Sequence, residues 1–486
     1  QVTNIGKYAG KEVVELFAMA PQGKLTKPLM SLVSFAKTTE LAPGESQKID
    51  LEVPAYNFAS FDDTGITGHK YAYILEKGEY KFFIGENVRE AQEIGSFEYS
   101  EDTVLEELEA ICAPKEYIDR IIAHKINGSY IPKKVTVKPE KPYLRERIIK
   151  NLPKEIGHIV HNYNFELVKS GEISVETFVS SLNNEELEAL TRGQGGMDSN
   201  YGVAGNAGAL GGIIPELNKK GIPPVITTDG PAGIRVRKYT SLIPCGTALA
   251  STFNTELVEK LATEMGRELR NAGSNVLLAP GMNIHRNVLC GRNFEYFSED
   301  PLLTGKMAAA YVKGIQASGG SACPKHFACN NQESFRTVNN SIVSQRALRE
   351  IYLKGFEICV KEAKPLNIMT SYNKINGVWS HYNYDLVTTV LRKEWGFDGS
   401  VMTDWWMQHS QSHEFPNLRD NAYRVRSQVD VYMPGSFKKT EKKYKPDKSL
   451  LETVGLKNGL TRGELERSAI TVSYTHLRAH ETLSDL

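Results

Sequence analysis

From residue 1 to about residue 98, apolar and polar positions alternate with a period of two, and turn residues separate the runs. Val2-Thr3-Asn4-Ile5-Gly6, Glu12 to Phe17, Leu29 to Phe35, Gln47 to Val53 and Tyr80 to Ile84 carry this alternation, which predicts half-buried strands. Pro43-Gly44 and Lys77-Gly78 mark turns, because proline presets one backbone angle and glycine admits the positive one. The pattern predicts a β-sandwich. Such a fold takes about seven strands and roughly five or six are visible, so an N-terminal strand is expected to be missing, leaving an unpaired edge.

Residues 99–165 change character and are expected to be a linker without chemistry. Glu101 to Ile111 reads as an acidic helical segment, and Lys125 to Lys150 is basic with scattered prolines. From 166 to 471 the pattern becomes strand, turn, helix, repeatedly. Pro224 to Thr228, Asn275 to Ala279, Ser321 to Lys325, Asn367 to Thr370, Ser400 to Thr403 and Val429 to Met433 are short apolar runs suited to strands buried on both faces. Amphipathic helices are predicted between them. Thr255 to Asn271 places Leu257, Leu261, Met265 and Leu269 on one face and stops at Gly273, and Ser344 to Glu362 does the same with Leu348, Ile351, Tyr352 and Phe356. Alternation of this kind predicts a parallel sheet, and its length favours a (β/α)8-like barrel, incomplete at six visible strands.

Composition narrows the partners. Across 486 residues, lysine plus arginine and aspartate plus glutamate stand at 58 each, so no net field draws the chain to nucleic acid or to an anionic membrane surface. No apolar run is long enough for a membrane span, and Gln1 opens on a strand-and-turn pattern rather than a leader. The six cysteines, Cys112, Cys245, Cys290, Cys323, Cys329 and Cys359, form no CxxC pair and read as reduced packing residues of a cytoplasmic protein.

In a barrel of this kind, chemistry sits just after each strand. The first strand is followed by Asp229-Gly230-Pro231-Ala232-Gly233-Ile234-Arg235, and the second by Asn283, His285 and Arg286, then Gly291-Arg292-Asn293-Phe294-Glu295. The third ends in Lys325-His326-Phe327, with Asn330, Glu333 and Arg336 beyond it. Ser371-Tyr372-Asn373, Asp404-Trp405-Trp406 and Pro434-Gly435-Ser436 follow the last three. Each has a plain alternative: Asp404 as a helix cap, Asp229 as a turn former, Arg292 and Glu295 as a local ion pair, Arg336 and Tyr372 as structural residues. Lys325-His326 is read as functional, since a cation and an imidazole leaving a buried strand need partners.

Two carboxylates, several donors and aromatic walls suit a neutral, polyhydroxylated ligand. Asp229 can accept sugar hydroxyls, Lys325, His326 and Arg292 can donate, and Trp405 can stack on a ring's C–H face. Glycoside hydrolysis would make Asp404 a nucleophile or charge stabiliser, held ionised by nearby cations. The histidines lack metal-ligand spacing, there is no phosphate loop, and neither metal nor cofactor is expected.

Thr228-Asp229-Gly230-Pro231-Ala232-Gly233-Ile234-Arg235, Gly291-Arg292-Asn293-Phe294-Glu295 with Ser298-Glu299-Asp300-Pro301, Lys325-His326-Phe327, Ser371 to Gly377 and Val401-Met402-Thr403-Asp404-Trp405 together resemble glycoside hydrolase family 3 and its β-glucosidases. Residues 1–98 are similar to that family's fibronectin type III-like domain. The resemblance implies that Asp404 is the nucleophile of a retaining double displacement. It also implies that Asp229, Arg235, Arg292, Lys325, His326, Arg336 and Tyr372 line the nonreducing-end sugar site, with Trp405 against the sugar. The ligand implied is a small β-glucoside or oligosaccharide; a β-xyloside or β-N-acetylglucosaminide preference, or sugar binding without turnover, are the alternatives.

The domain order resembles the family's permuted subgroup. There an α/β-sandwich domain, expected in cis upstream of Gln1, carries the acid/base glutamate, so no such residue is assigned here and the chain alone is expected to be inactive. The N-acetylglucosaminidase subgroup's barrel-loop histidine has no counterpart in Ala328-Cys329-Asn330-Asn331. Thr461 to Glu464 forms a capping box, but after Ile470 the helical pattern dissolves, and Val472 to Leu486 resembles a translated sequencing adapter with no function.

Overall fold

The computed structural model describes residues 1–140, 143–194, 196–437 and 445–481. The N-terminal part folds into two antiparallel sheets, although the expected strand Gln47 to Val53 is strand only at Gln47, and Val2–Thr3 pairs with Ser46–Gln47 outside both sheets. One has four strands in the order Ser31–Lys37, Val13–Met19, Gly78–Gly85, Gln92–Tyr99; the other has three, Ser60–Asp62, Ala72–Leu75 and Thr103–Glu107. Leu16, Ala18, Val33, Phe58, Leu75 and Tyr80 fill the space between them.

The seventh strand corrects the sequence reading twice. Thr103–Glu107 lies in the stretch expected to be an acidic helix, but β-branched Thr103 and Val104 pair with Leu75 and Ile74 at an edge that would otherwise stay open. It also supplies a strand that the count of five or six left short. The expected linker is likewise structured. Ile118–Ile126 and Ser129–Val137 form a hairpin whose turn, Asn127-Gly128, has positive φ at both positions, and Leu144–Lys150 is a helix.

Among the described residues the second part contains all six predicted strands, two further strands that periodicity missed, and a small outlying sheet of Asn340–Ser341, Lys374–Ile375 and Val378–Trp379. Gly208–Gly211, Pro224–Asp229, Val276–Leu278 and Ser321–Ala322 form one ladder, Asn367–Thr370 with Ser400–Thr403 a second, and Arg192–Gln194 with Tyr432–Phe437 a third. Single bridges, Phe327 to Thr370 and Met402 to Val431, join the ladders, and Gly193 returns against the Ala209 carbonyl. Among the described residues the hydrogen-bonded ladders do not close into one sheet. The missed strands carry no apolar run: one is glycine-rich and antiparallel to its neighbour, and the other opens on Arg192, buried because Glu188 pairs with it at 2.5 Å.

The predicted helix Thr255–Asn271 is present, capped by Asn254, and packs on Pro301–Ala317, which packs in turn on Lys354–Ala363. The predicted helix from Ser344 is continuous except for a wider turn over Leu348–Tyr352. One face of it docks on the sandwich. Arg346 donates to the Leu25 and Thr26 carbonyls at 2.6 and 2.9 Å, and Glu350 accepts from the Phe61 amide at 2.6 Å. The segment after the seventh strand then enters the second core: Ile111 and Cys112 are buried, and their amides donate to Gln345 and Asp385 at 2.8 and 2.9 Å.

The C-terminal pattern does not dissolve at Ile470. Helix Arg462–Glu481 runs on, with Val472, Ser473, Thr475 and His476 buried; residues 482–486 of the expected tail lie outside the described residues. Thr471 and Thr475 donate back to the Arg467 and Thr471 carbonyls at 3.0 and 3.1 Å, so their hydroxyls are satisfied within the helix. The buried Arg426–Glu464 pair fastens its first turn, with a second contact at 3.0 Å. Five cysteines are buried, all six are free, and among the described residues no helix is long and apolar enough to cross a membrane.

Candidate active site

Four strand ends and the loops after them bring most of the predicted residues to one rim. Pro224–Asp229 ends on Asp229, whose Oδ1 accepts from Lys325 Nζ at 2.8 Å and whose Oδ2 accepts from Arg235 at 3.1 Å. Burial raises the Asp229 pKa, but the Lys325 and Arg235 cations outweigh it and hold the carboxyl down at about 2. Lys325 also stands 3.8 Å from Glu295, which grips Arg292 through two contacts of 2.8 and 2.7 Å. The result is a line of alternating charges, Arg235, Asp229, Lys325, Glu295 and Arg292. Burial works against the Arg292 charge, yet the Tyr296 ring and Glu295 leave its pKa raised.

Ser400–Thr403 ends on Asp404, which is 8 % exposed. Its Oδ1 accepts from the Trp405 amide at 2.8 Å, while buried Oδ2 has no close hydrogen-bond partner and lies 3.7 Å from His326 Nε2. Burial pushes the Asp404 pKa up; the Trp405 N–H, Lys325, Arg292 and Tyr372 pull the other way without reversing the shift. The expectation that neighbouring cations dominate is therefore corrected: the carboxylate is so enclosed that desolvation is the larger effect. His326 is driven well below the ordinary imidazole value by burial and then by Arg292, Lys325 and Arg336, which favours the uncharged ring.

Arg336 pairs with Glu333 at 2.8 Å and lies over the Tyr372 ring at 4.6 Å, which places both beside the rim. Arg235 reaches the site only through Asp229 and is mostly exposed. Trp405 is 5 % exposed, packed in the core with its indole N–H on the Ala207 carbonyl at 3.0 Å, whereas Trp406 is exposed. The Arg292–Glu295 ion pair expected from sequence is present, but its link to Lys325 and the part played by Tyr296 were not singled out. Glu295 joins Arg292 to Lys325, and buried Tyr296 places its hydroxyl 3.1 Å from His326 Nδ1. The signal was their position directly after Arg292-Asn293-Phe294. Among the described residues no cluster of potential ligands could hold a metal ion. The arrangement can hold a neutral polyol by paired charges and present one partly satisfied carboxylate to it.

Residues 179–478 match the glycosyl hydrolase family 3 N terminal domain, and residues 12–88 match the fibronectin type III-like domain. The chain is 41% identical over 486 residues to a beta-glucosidase of Ruminococcus albus, covering 99% of this chain and 50% of that protein. It is 40% identical over 434 residues to beta-glucosidase A of Butyrivibrio fibrisolvens, covering 83% and 50%. Among solved structures, a beta-glucosidase from Paenibacillus barengoltzii superposes with a TM-score of 0.89 at 41% identity over 98% of this chain and 52% of that one. Beta-glucosidase 3B from Thermotoga neapolitana, in complex with alpha-D-glucose, matches 64% of this chain and 44% of its own with a TM-score of 0.56 and 40% identity. The chain spans about half the length of the curated relatives it matches.

Proposed function

Because this chain belongs to glycoside hydrolase family 3, we propose that it forms part of a retaining β-glucosidase acting at the nonreducing end of β-glucosides, with Asp404 as nucleophile. The observation that carries this reading is the Asp404 carboxylate itself. It is delivered by a buried strand, one oxygen is fixed by the Trp405 amide, and the other stands without a close partner beside His326. We read the eight strands as the staves of a (β/α)8-like barrel, with Gly208–Gly211 reversed against its neighbour. Asp229, Lys325, Arg292, His326, Arg336 and Tyr372 then hold the sugar's hydroxyls, and the Asp404 carboxylate attacks the anomeric carbon to give a glycosyl-enzyme.

Departure of an ordinary aglycone needs a proton from a second carboxyl about 5 to 5.5 Å from the nucleophile. Asp229, Glu295 and Glu333 are each paired with a cation, so none of the three suits that role. We assign it to a glutamate in the half of the relatives that this chain does not span. The same pairing favours a second reading, in which this chain by itself binds glucose without turning over natural glucosides.

The test avoids the missing acid. Fluoride leaves without protonation, so 2-deoxy-2-fluoro-β-D-glucosyl fluoride should label the chain covalently, with peptide mass spectrometry placing the sugar on Asp404 and none found in Asp404→Asn. Calorimetry with glucose accompanies it. Glucose binding with the label absent, or on another carboxylate, sinks the nucleophile assignment.

A further inference from the structure

We infer that Tyr296, with Asn330 and Glu333 behind it, holds His326 in the tautomer that carries its proton on Nε2, so that an N–H faces Asp404. The argument starts from an anion and follows the protons. Glu333, held by Arg336, accepts at Oε1 from Asn330 Nδ2 at 3.1 Å. That contact fixes the amide, since the opposite orientation would set its oxygen against the carboxylate. The same Nδ2 lies 3.1 Å from the Tyr296 hydroxyl, and an amide nitrogen can only donate, so the Tyr296 oxygen is the acceptor there.

Tyr296 is fully buried, and its own O–H needs an acceptor. Among the described residues its other hydrogen-bonding neighbour is His326 Nδ1, at 3.1 Å, which must therefore offer a lone pair. Asn283 opposes this more weakly, since its Oδ1 can only accept and stands near the same nitrogen. Its Nδ2 donates to the His326 carbonyl at 2.9 Å, and its Oδ1 already accepts from the His326 amide at 3.0 Å, with Nδ1 more distant at 3.3 Å. Placing the proton on Nδ1 would leave the Tyr296 hydrogen buried without an acceptor.

A ring that offers a lone pair at Nδ1 carries its N–H at Nε2, 3.7 Å from the Asp404 oxygen that has no close partner. His326 thus faces the carboxylate as a donor that carries no ionisable extra proton, so it can orient Asp404 or a sugar hydroxyl without neutralising the nucleophile. Tyr296, Asn330 and Glu333 are positioning residues that act through it. The consequence for turnover rests on Asp404 being the nucleophile; the tautomer does not.

The full chain labelled with 15N-histidine gives the answer by long-range proton–nitrogen correlation, with the His326 signals identified by their loss in His326→Gln. Wild type should show a protonated Nε2 and a lone-pair Nδ1. In Tyr296→Phe only the Asn283 oxygen faces Nδ1, so the proton should move to Nδ1, and labelling by the fluoroglucosyl fluoride should slow by about tenfold or more while glucose affinity changes less. A wild-type proton on Nδ1 overturns the inference, as does an unchanged tautomer in Tyr296→Phe. Should that variant fail to fold, the wild-type spectrum alone decides. An Nε2 proton in a chain that takes no label would sink the nucleophile reading and leave the tautomer assignment standing.

Discussion

At the residue scale, Asp229 and Asp404 are the same side chain at equivalent strand ends, yet their pKa values move in opposite directions. Asp229 has two cations in contact and falls to about 2; Asp404 has its nearest charges at one remove, and burial wins. The first gives a prediction about acid stability. A carboxyl whose folded pKa lies below its unfolded value of 3.8 stabilises the fold above that value, and the benefit is lost as pH falls toward about 2. Asp229→Asn should therefore be less stable than wild type at pH 7, by on the order of 2 kcal/mol. Urea denaturation across pH should show that deficit shrinking below about pH 4. A deficit independent of pH would mean that the ion pair is not its source. Asp229, Lys325, His326 and Asp404 were legible because each closes a short apolar strand. The Arg292–Glu295 pair was legible as a local contact; the approach of Glu295 to Lys325 and the place of Tyr296 were not, because they arise only when the loop after Arg292 folds back toward Lys325 and His326.

At the scale of elements, the helices were read from their stripes, and the closeness of their packing was not. Gly314, in Pro301–Ala317, lies so near Thr255–Asn271 that a Cβ would stand 2.3 Å from the Glu259 carbonyl and 2.7 Å from Ala262 Cβ. Alanine ordinarily improves a helix interior over glycine by about 1 kcal/mol. Here backbone overlap decides the sign, and Gly314→Ala should destabilise by about 1–3 kcal/mol in denaturant melts, while Lys313→Ala on the exposed side stays within about 0.5 kcal/mol. Equal effects at both positions would remove the packing argument. Strands were legible where both faces are apolar, as in Ser400–Thr403. Arg192–Gln194 and Gly208–Gly211 escaped because an ion pair, and the space that glycines leave for helix Arg462–Glu481, make them internal instead of hydrophobicity. Thr103–Glu107 escaped because its acids suggested a solvated helix, whereas its partner strand needed an edge.

At the scale of the molecule, the sandwich and the α/β part share one helix face. Arg346 spans the junction, tied to Glu350 at 2.9 Å and to two sandwich carbonyls. Arg346→Ala removes three partly buried, charge-assisted contacts and should cost about 2–5 kcal/mol. Calorimetry should show it as a lower melting temperature or as a separate sandwich transition; an unchanged single transition would show that apolar contacts alone hold the junction. The alternation in sequence showed that there are two parts, but not how they meet, because the junction is built from Arg346, Glu350 and backbone groups that carry no periodic signal.

The buried strap after the sandwich has a consequence for the order in which the chain is made. Cys112 finds its amide partner in Asp385, 273 positions later, and its carbonyl partner in Asn376. At about 5–20 residues per second, a ribosome would need about 14 to 55 seconds to supply Asp385 after Cys112 is joined. During that interval the sandwich can fold from local pairings, while Ile111 and Cys112 wait as an apolar end that only the completed C-terminal half can cover. The time during which nascent copies could associate through that end is thus set by the rate of translation, not by the stability of either domain.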